Sequence, residues 1–187
     1  IETIMITGDH KNTAFAIAKE LDIAQNETEC ISGAELDKLN EKELARQVQQ
    51  YRVFSRVTPE HKVKIVKALK ENENIVAMTG DGVNDAPSLK AADIGIAMGI
   101  SGTDVAKGAA DMVLSDDNFA SIEKAVKEGR GIYANIKKSL LFLLSSNIGE
   151  ILTMFLGVLL NLPIPLLAIH ILWVNLLTDS FPALALG

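Results

Sequence analysis

Cysteine is nearly absent from this chain, and basic residues are outnumbered by acidic ones. The single cysteine, Cys30, excludes an intrachain disulfide and fits a reducing compartment. The formal net charge is −6 and the isoelectric point is about 5.1, so the composition gives no sign of nucleic acid as a partner. No signal peptide is visible, and the chain begins with Ile1 rather than methionine. We interpret the 187 residues as a fragment of a longer polypeptide.

Charged residues almost disappear after residue 138. The first 138 residues hold all 18 Lys and Arg and 22 of the 24 acidic residues, and only Glu150 and Asp179 follow. This shift is the main boundary in the sequence. It predicts a cytoplasmic domain over residues 1–131 and two transmembrane helices within residues 132–187.

A glycine-rich acidic turn lies at the centre of the polar part. Its nine residues, Thr79-Gly80-Asp81-Gly82-Val83-Asn84-Asp85-Ala86-Pro87, follow an apolar run at 75–78 that predicts a buried strand and precede a predicted helix at 88–92. Such a turn lies at the carboxyl edge of a parallel sheet, where open α/β folds bind ligands. Asp81 and Asp85 suit Mg²⁺ shared with a phosphate, and Asn84 can cap the helix or donate to a phosphate oxygen. For a bare Gly-Asp-Gly, an acidic turn that only caps a helix is the alternative.

Other strand and helix signals repeat the same pattern. A strand at 2–6 ends in Thr7-Gly8-Asp9 before a helix at 12–21, and the Thr7 hydroxyl with nearby amides can hold a phosphoryl oxygen. Taken alone, these three residues are better explained as a plain βα turn. Further elements are predicted as two short polar helices at 33–39 and 41–50, strands at 53–55, 94–98 and 112–114, and a helix at 102–109. Repeated βα units predict a doubly wound parallel α/β sheet.

A helix over residues 59–71 brings one lysine toward the same edge. Thr58 is a good N-cap and Pro59 a good first helical residue. Lys62 lies in the first turns, and helical side chains lean toward the amino terminus, so its ammonium can reach the ligand edge. A solvated lysine is the alternative. His61 is predicted to be a surface residue.

Two apolar segments predict membrane spans. Residues 139–160 carry one charge over 22 residues, and residues 166–187 form the second span after an uncharged break at 161–165. A helix starting near Phe119 can run through Gly129-Arg130-Gly131 into the first span. Basic residues before this span mark the cytoplasmic side: Lys124, Lys127, Arg130, Lys137 and Lys138.

Each span has a polar face. Asn147 and Glu150 are three residues apart, and Asn175, Thr178 and Asp179 follow the same helical spacing. A carboxylate at mid-membrane costs roughly 2.5–3.5 kcal/mol, and neither span contains Lys or Arg to pair with it. A bound cation or protonation is the natural compensation. Pro182 also frees the Thr178 carbonyl from its usual partner. Bonding to other helices is the alternative.

The nine-residue turn resembles the hinge motif of the P-type ATPases, cation pumps whose phosphorylation domain belongs to the haloacid dehalogenase superfamily. The resemblance implies catalytic roles around an aspartyl phosphate for Thr7, Gly8, Asp9, Lys62, Asn84 and Asp85. It also implies Mg²⁺ on Asp81 with support from Asp85, and a nucleotide near Arg56 and Lys62. ATP and Mg²⁺ are the cofactors that it implies.

The two spans resemble the fifth and sixth transmembrane helices of calcium-transporting members. Ser146-Asn147-Ile148-Gly149-Glu150 and the run from Leu172 to Asp179 carry this likeness. It implies that transported Ca²⁺ is bound by Asn147, Glu150, Asn175, Thr178 and Asp179. It implies a multi-pass protein of the lipid bilayer whose other partners are the remaining domains and helices of the same pump.

One family motif is missing from the sequence. The phosphorylated aspartate of the family lies in Asp-Lys-Thr-Gly-Thr, whereas the Asp37-Lys38 pair is followed by Leu39. The resemblance therefore implies a fragment of an ATP-driven calcium pump that cannot form a phosphoenzyme by itself. A membrane-tethered, Mg²⁺-dependent phosphatase of the same superfamily and an inactive cation-binding fragment are the alternatives.

Overall fold

The computed structural model describes residues 1–163 and 165–181, apart from the side chains of Thr178 and Asp179. The chain divides into two compact units, Ile1–Asn118 and Phe119–Gly187. The predicted boundary after residue 131 lies inside the long helix that begins the second unit. The helices are α1 (Lys11–Glu20), α2 (Gly33–Leu36), α3 (Glu41–Gln47), α4 (Pro59–Glu71), α5 (Ala86–Ala91), α6 (Asp104–Ala109), α7 (Ala120–Leu159) and α8 (Ala168–Val174).

All strand pairs among the described residues of the first unit are parallel. They form two three-stranded sheets, ordered β1-β3-β2 and β4-β5-β6, rather than one continuous ladder. The strands are β1 (Met5–Ile6), β2 (Cys30–Ser32), β3 (Val53–Ser55), β4 (Ala77–Gly80), β5 (Ile94–Met98) and β6 (Met112–Leu114). The predicted parallel α/β fold is confirmed, because parallel strands alternate with helices throughout this unit.

Both faces of the first sheet are buried. Successive side chains of a strand point to opposite faces, so Val53 packs with Ala14 and Ala18 of α1, while Phe54 packs with Ile65 of α4 and Leu44 of α3. Burying both faces explains why β3 is a short run of fully buried residues. It also fixes the carboxyl ends of the strands, where the predicted site residues follow.

Helix α4 packs against residues from both sheets. Ile65 belongs to the cluster of the first sheet, and Val66 packs with Met78 of β4 and Ile6 of β1. The helix begins as predicted, with the Thr58 hydroxyl accepting a hydrogen bond from the His61 N–H at 3.3 Å and Pro59 as its first residue. These contacts pack α4, which carries Lys62 in its first turn, against β1 and β4, the strands that carry the two predicted site loops.

The structure corrects three details of the sequence interpretation. Strand β2 was missed, and the strand expected at 75–78 begins instead at Ala77, with Ile75 84% exposed. His61 is buried rather than on the surface. Its Nδ1 accepts from the Thr58 N–H at 3.1 Å, and its Nε2 lies 2.8 Å from Oδ1 of Asp37, so the ring joins α4 to the residue after α2.

The second unit begins with a continuous helix of 40 residues, α7. In the described part of the chain, this is the one helix that is long and apolar enough to cross a membrane, as judged by length and composition. The second predicted span, 166–187, lies partly outside the described residues. Its described part forms α8 and a π-helix at Asn175–Asp179.

Candidate functional site: a glycine-rich turn and two unpaired buried oxygens

Asp85 is the most enclosed polar residue of the glycine-rich turn, with only 7% of its surface exposed. Its Oδ1 accepts a hydrogen bond from Nζ of Lys62 at 2.5 Å. Its Oδ2 accepts from the backbone N–H groups of Asp81 and Gly82, at 3.3 and 3.2 Å. The carboxylate therefore folds the turn around itself and ties it to the first turn of α4.

Opposing effects act on the pKa of Asp85. Burial disfavours the charged form, but the hydrogen bond from Lys62, the Gly82 N–H and the positive charge of Lys62 together outweigh it. The pKa of Asp85 is consequently lowered, and the group is a carboxylate at neutral pH. An ionised Asp85 can hold the lysine ammonium in place next to the turn.

Gly80 is required by the close approach of Asp85. A Cβ atom at this position would lie 2.5 Å from Cβ of Asp85, far inside van der Waals contact. The strand can therefore end against the buried carboxylate only without a side chain at Gly80. Asp81 comes next and is exposed, while its backbone carbonyl accepts a hydrogen bond from the Thr103 N–H at 2.8 Å.

Asn84 is exposed and does not cap the following helix. The N-cap of α5 is Asp85, and residues 83–85 form a 3₁₀ turn. Of the two roles considered for Asn84, the capping role is thus not seen. Its amide lies at the surface of the turn.

The second predicted loop, Thr7-Gly8-Asp9, follows β1 and lies against the start of α4. The Thr7 hydroxyl donates to Oδ2 of Asp9 at 2.9 Å. The backbone N–H groups of Arg56 and Val57 donate to the carbonyls of Asp9 and Thr7, at 3.1 and 3.3 Å. These bonds join the loop to the segment that leads into α4, and so bring it toward the helix that carries Lys62.

Arg56 has a backbone conformation that is uncommon for its residue type. Its φ angle is 50°, in the left-handed region. The conformation is held by the hydrogen bond from its N–H to Asp9, and its side chain is exposed. Strained backbone of this kind concentrates at functional sites, because the surrounding contacts must maintain it.

In the second unit, two side-chain oxygens are buried without a hydrogen-bond partner among the described residues. They are Oε1 of Glu150 on α7 and Oδ1 of Asn175 at the start of the π-helix. Leaving a buried polar atom unpaired costs about 1–3 kcal/mol, and more for a charged group. π-Helical turns inside helices are themselves frequent at functional sites. Two unpaired oxygens without a counter-charge are therefore suited to a cation.

The other predicted cation ligands are less well defined. Asn147 is exposed, and its Nδ2 donates to the Leu143 carbonyl at 2.9 Å, which leaves its oxygen as the potential ligand. The side chains of Thr178 and Asp179 lie outside the described part of the structure, as does Pro182. Within the described residues there is no group of three or more acidic, His or Cys side chains arranged to hold a metal.

Sequence reasoning overlooked two residues, one that contacts the turn and one that contacts the loop after β5. Thr103 caps α6 and also donates its N–H to Asp81, and Asp117 accepts several backbone hydrogen bonds from the loop after β5. Both contacts link segments distant along the chain, so no local pattern could have signalled them.

Known protein families match most of the first unit and the end of the second unit. Residues 1–93 match the haloacid dehalogenase-like hydrolases, and residues 163–187 match the carboxyl terminus of cation-transporting ATPases. The chain is 68% identical over its whole length to calcium-transporting ATPase 1 of Bacillus cereus and covers 21% of that protein. It is 52% identical to P-type sodium-transporting ATPase4 of Toxoplasma gondii, of which it covers 15%.

Among solved structures, a zinc-transporting PIB-type ATPase in the E2.Pi state aligns with 98% of this chain and 24% of its own. The TM-score is 0.66 at 31% identity. The chain thus contains a haloacid dehalogenase-like α/β fold. It belongs to the P-type cation-transporting ATPases, and it spans about one fifth of the length of the calcium-transporting relative.

Proposed function

We propose that this chain is the part of an ATP-driven calcium pump that joins phosphoryl chemistry to cation binding. The observation that carries the proposal is the pair of buried, unpartnered oxygens on Glu150 and Asn175. Membership of the family supplies the context, and the 68% identical relative is a calcium-transporting ATPase. The whole protein would be an integral, multi-pass membrane protein with its phosphorylation domain in the cytoplasm.

The phosphoryl group would be received from ATP by an aspartate outside this chain. Both β1 and β4 are end strands of their sheets, and both lead into the site loops. Ile6 of β1 and Met78 of β4 pack in one cluster, so a parallel strand placed between β1 and β4 would end beside both loops. Such a strand, contributed by another part of the pump, fits as the carrier of the aspartate.

The residues of the two loops would have different roles in binding Mg²⁺ and the phosphoryl group. Asp81 is exposed and fits a Mg²⁺ ligand, whereas both oxygens of Asp85 already accept hydrogen bonds, so Asp85 supports the site by fixing Lys62 and the turn. When bound, Mg²⁺ would neutralise charge on the phosphoryl oxygens. Hydrogen bonds to the same oxygens would come from Lys62, Asn84 and the Thr7 hydroxyl. Gly8 and Asp9 would shape the first loop. Arg56 would lie near the nucleotide.

Calcium is the cargo that suits the second site. Ca²⁺ prefers six to eight oxygen ligands, and the side chains of Asn147, Glu150, Asn175, Thr178 and Asp179 all offer oxygen. The five residues do not fill this coordination, so helices from the rest of the pump would supply further ligands. The sodium-transporting relative makes a monovalent cation the rival cargo, and the test below separates the two.

The decisive experiment replaces Glu150 by Gln in the complete pump. Glu150→Gln removes one of the two carboxylate charges of the proposed ligand set, so calcium-dependent formation of phosphoenzyme from ATP is expected to disappear at micromolar calcium. The matched control is Glu123→Gln, the same substitution in the first turn of the same helix. Unchanged calcium dependence in Glu150→Gln contradicts the site, and activation by sodium instead of calcium in the unaltered pump contradicts the cargo.

A further inference from the structure

Asp117, three residues after the last strand of the first unit, forms a dense set of hydrogen bonds. Oδ1 of Asp117 accepts from the N–H groups of Gly99 and Ile100, at 2.6 and 3.0 Å. Oδ2 accepts from the N–H and the hydroxyl of Ser101, at 2.7 and 2.8 Å. Hydrogen bonds to a charged acceptor are about twice as strong as neutral ones, so this side chain clamps the loop at 99–101.

The backbone of Asp117 is also held in place, by a hydrogen bond to Leu114. Asp117 has a φ angle of 48°, a conformation that aspartate tolerates better than most residues, and its N–H donates to the Leu114 carbonyl at 3.3 Å. Gly99 shares the same Leu114 carbonyl at 2.8 Å, and a Cβ on Gly99 would lie 2.4 Å from it. The backbone hydrogen bonds lower the pKa of Asp117 to about 2, so the clamp is charged at any physiological pH.

The clamped loop continues directly to the glycine-rich turn. Two residues after Ser101, the Thr103 N–H donates to the Asp81 carbonyl at 2.8 Å. The Asp81 N–H donates in turn to Asp85. The peptide groups of Asp81 are therefore held from both sides, by Asp85 and by the loop that Asp117 clamps.

The other end of this connection is the start of the membrane helix. Helix α7 begins at Ala120, three residues beyond Asp117 along the chain, and continues without interruption past Glu150 to Leu159. A displacement of the Asp81 turn would move Thr103 and the loop, and the clamp would pass that movement to residue 117. A covalent path of three residues then leads into the helix with the cation ligand.

We propose that Asp117 is a positioning residue that couples the Asp81 turn to helix α7, so that events at the phosphoryl site change the cation site. The proposal rests on the proposed function, since it needs both sites to act. It assigns to Asp117 no contact with substrate. Its role is to transmit movement, and loss of the clamp should separate ATP hydrolysis from transport while leaving phosphoryl transfer itself in place.

The test uses the complete pump in sealed vesicles and measures calcium moved per ATP hydrolysed, together with phosphoenzyme at saturating calcium. In Asp117→Ala, we expect phosphoenzyme within about twofold of the unaltered pump and transport per ATP reduced at least about fivefold, the lower end of typical coupling between sites. A merely structural defect lowers hydrolysis and transport together and leaves their ratio unchanged. An unchanged ratio therefore overturns the proposal, and so does loss of phosphoenzyme at saturating calcium.

Two further variants keep the experiment decisive. Asp117→Asn keeps the side-chain shape but turns an NH₂ group toward N–H donors, and it is judged by the same ratio if Asp117→Ala does not reach the membrane. The control is Asp111→Asn, which removes a carboxylate that accepts the Gly95 N–H at 2.8 Å but does not touch the loop at 99–101. A lowered ratio in this control overturns the proposal. Failure of the proposed function shows separately, as an unaltered pump without calcium-dependent phosphoenzyme.

Discussion

Lys62 is half-buried, and its ammonium lies 2.5 Å from Oδ1 of Asp85. The ion pair holds the positive charge beside the glycine-rich turn, so the lysine would already be ordered if a phosphoryl group binds there as proposed. Preorganised charge of this kind stabilises a transition state more than a flexible side chain can. At the scale of a residue, Asp85 fixes the position of Lys62, and the proposed role of Lys62 is to bind a phosphoryl oxygen from that position.

Replacing Lys62 by Ala should slow phosphoenzyme formation by about 100-fold to 1,000-fold, the usual effect of removing one stabilising group. The rate is measured in the complete pump at saturating calcium, by rapid quench with labelled ATP. Lys62→Arg should recover only part of the rate, because a planar guanidinium cannot take the place of a compact ammonium. Lys64→Ala removes an exposed lysine of the same helix and should have little effect. Equal rates in Lys62→Ala and Lys64→Ala would argue against this role.

At the scale of an element, α4 matters because its first turn sets the position of Lys62. The turn is closed by the Thr58 hydroxyl on the His61 N–H and by the His61 ring on the Thr58 N–H. The same ring contacts Asp37, so the start of α4 is held both locally and by the residue that follows α2. An error at this cap should therefore affect stability and lysine placement together.

Thr58→Ala should cost about 1 kcal/mol of stability, the typical value of a lost N-cap. We expect a lower midpoint for thermal loss of phosphoenzyme formation in the complete pump. Thr58→Ser keeps the hydroxyl and should remain close to the unaltered protein. If Thr58→Ser loses as much as Thr58→Ala, the cap is not the cause.

Elements with clear local signals were predictable from the sequence. Helix α4 has its cap, its proline and its apolar spacing, and its predicted bounds agree with the structure. Strand β2 has only three residues, Cys30, Ile31 and Ser32, too few to show a periodicity of two, and it was missed. Its place in the sheet depends on pairing with β3, a contact between distant segments.

The same distinction applies to the candidate site. The approach of Lys62 to the turn followed from helix geometry, and the glycine-rich turn was evident from its residues. The contact of His61 with Asp37 and the hydrogen bond between Thr103 and Asp81 both form between segments that are distant along the chain. Such contacts cannot be recognised in a single sequence. The connection from Asp117 through the loop at 99–101 to Asp81 was therefore found only in the structure.

At the scale of the whole molecule, α7 is the element that joins the charged part of the chain to its apolar part. Its 40 residues extend for about 60 Å, twice the roughly 30 Å of a bilayer's hydrocarbon core. Gly129 and Gly131 do not interrupt it, although each weakens the helix by about 0.5–1 kcal/mol relative to alanine. The charged first half and the apolar second half therefore belong to one element, and its continuity is what a mechanical link requires.

Breaking this continuity provides the last prediction. Ala134 is an exposed helical residue between the glycines and the apolar half, and proline there removes one backbone hydrogen bond and clashes with the carbonyl four residues earlier, at a cost of about 3 kcal/mol. We expect Ala134→Pro to retain ATP-derived phosphoenzyme but to reduce its dependence on calcium at least about fivefold, because coupling between two sites is reciprocal. Phosphoenzyme is measured over a calcium titration in membranes, with Ala134→Ser as the control that keeps the helix. Because the substitution touches neither the phosphoryl loops nor Glu150, full calcium control in the proline variant would mean that the two sites communicate through some other part of the pump.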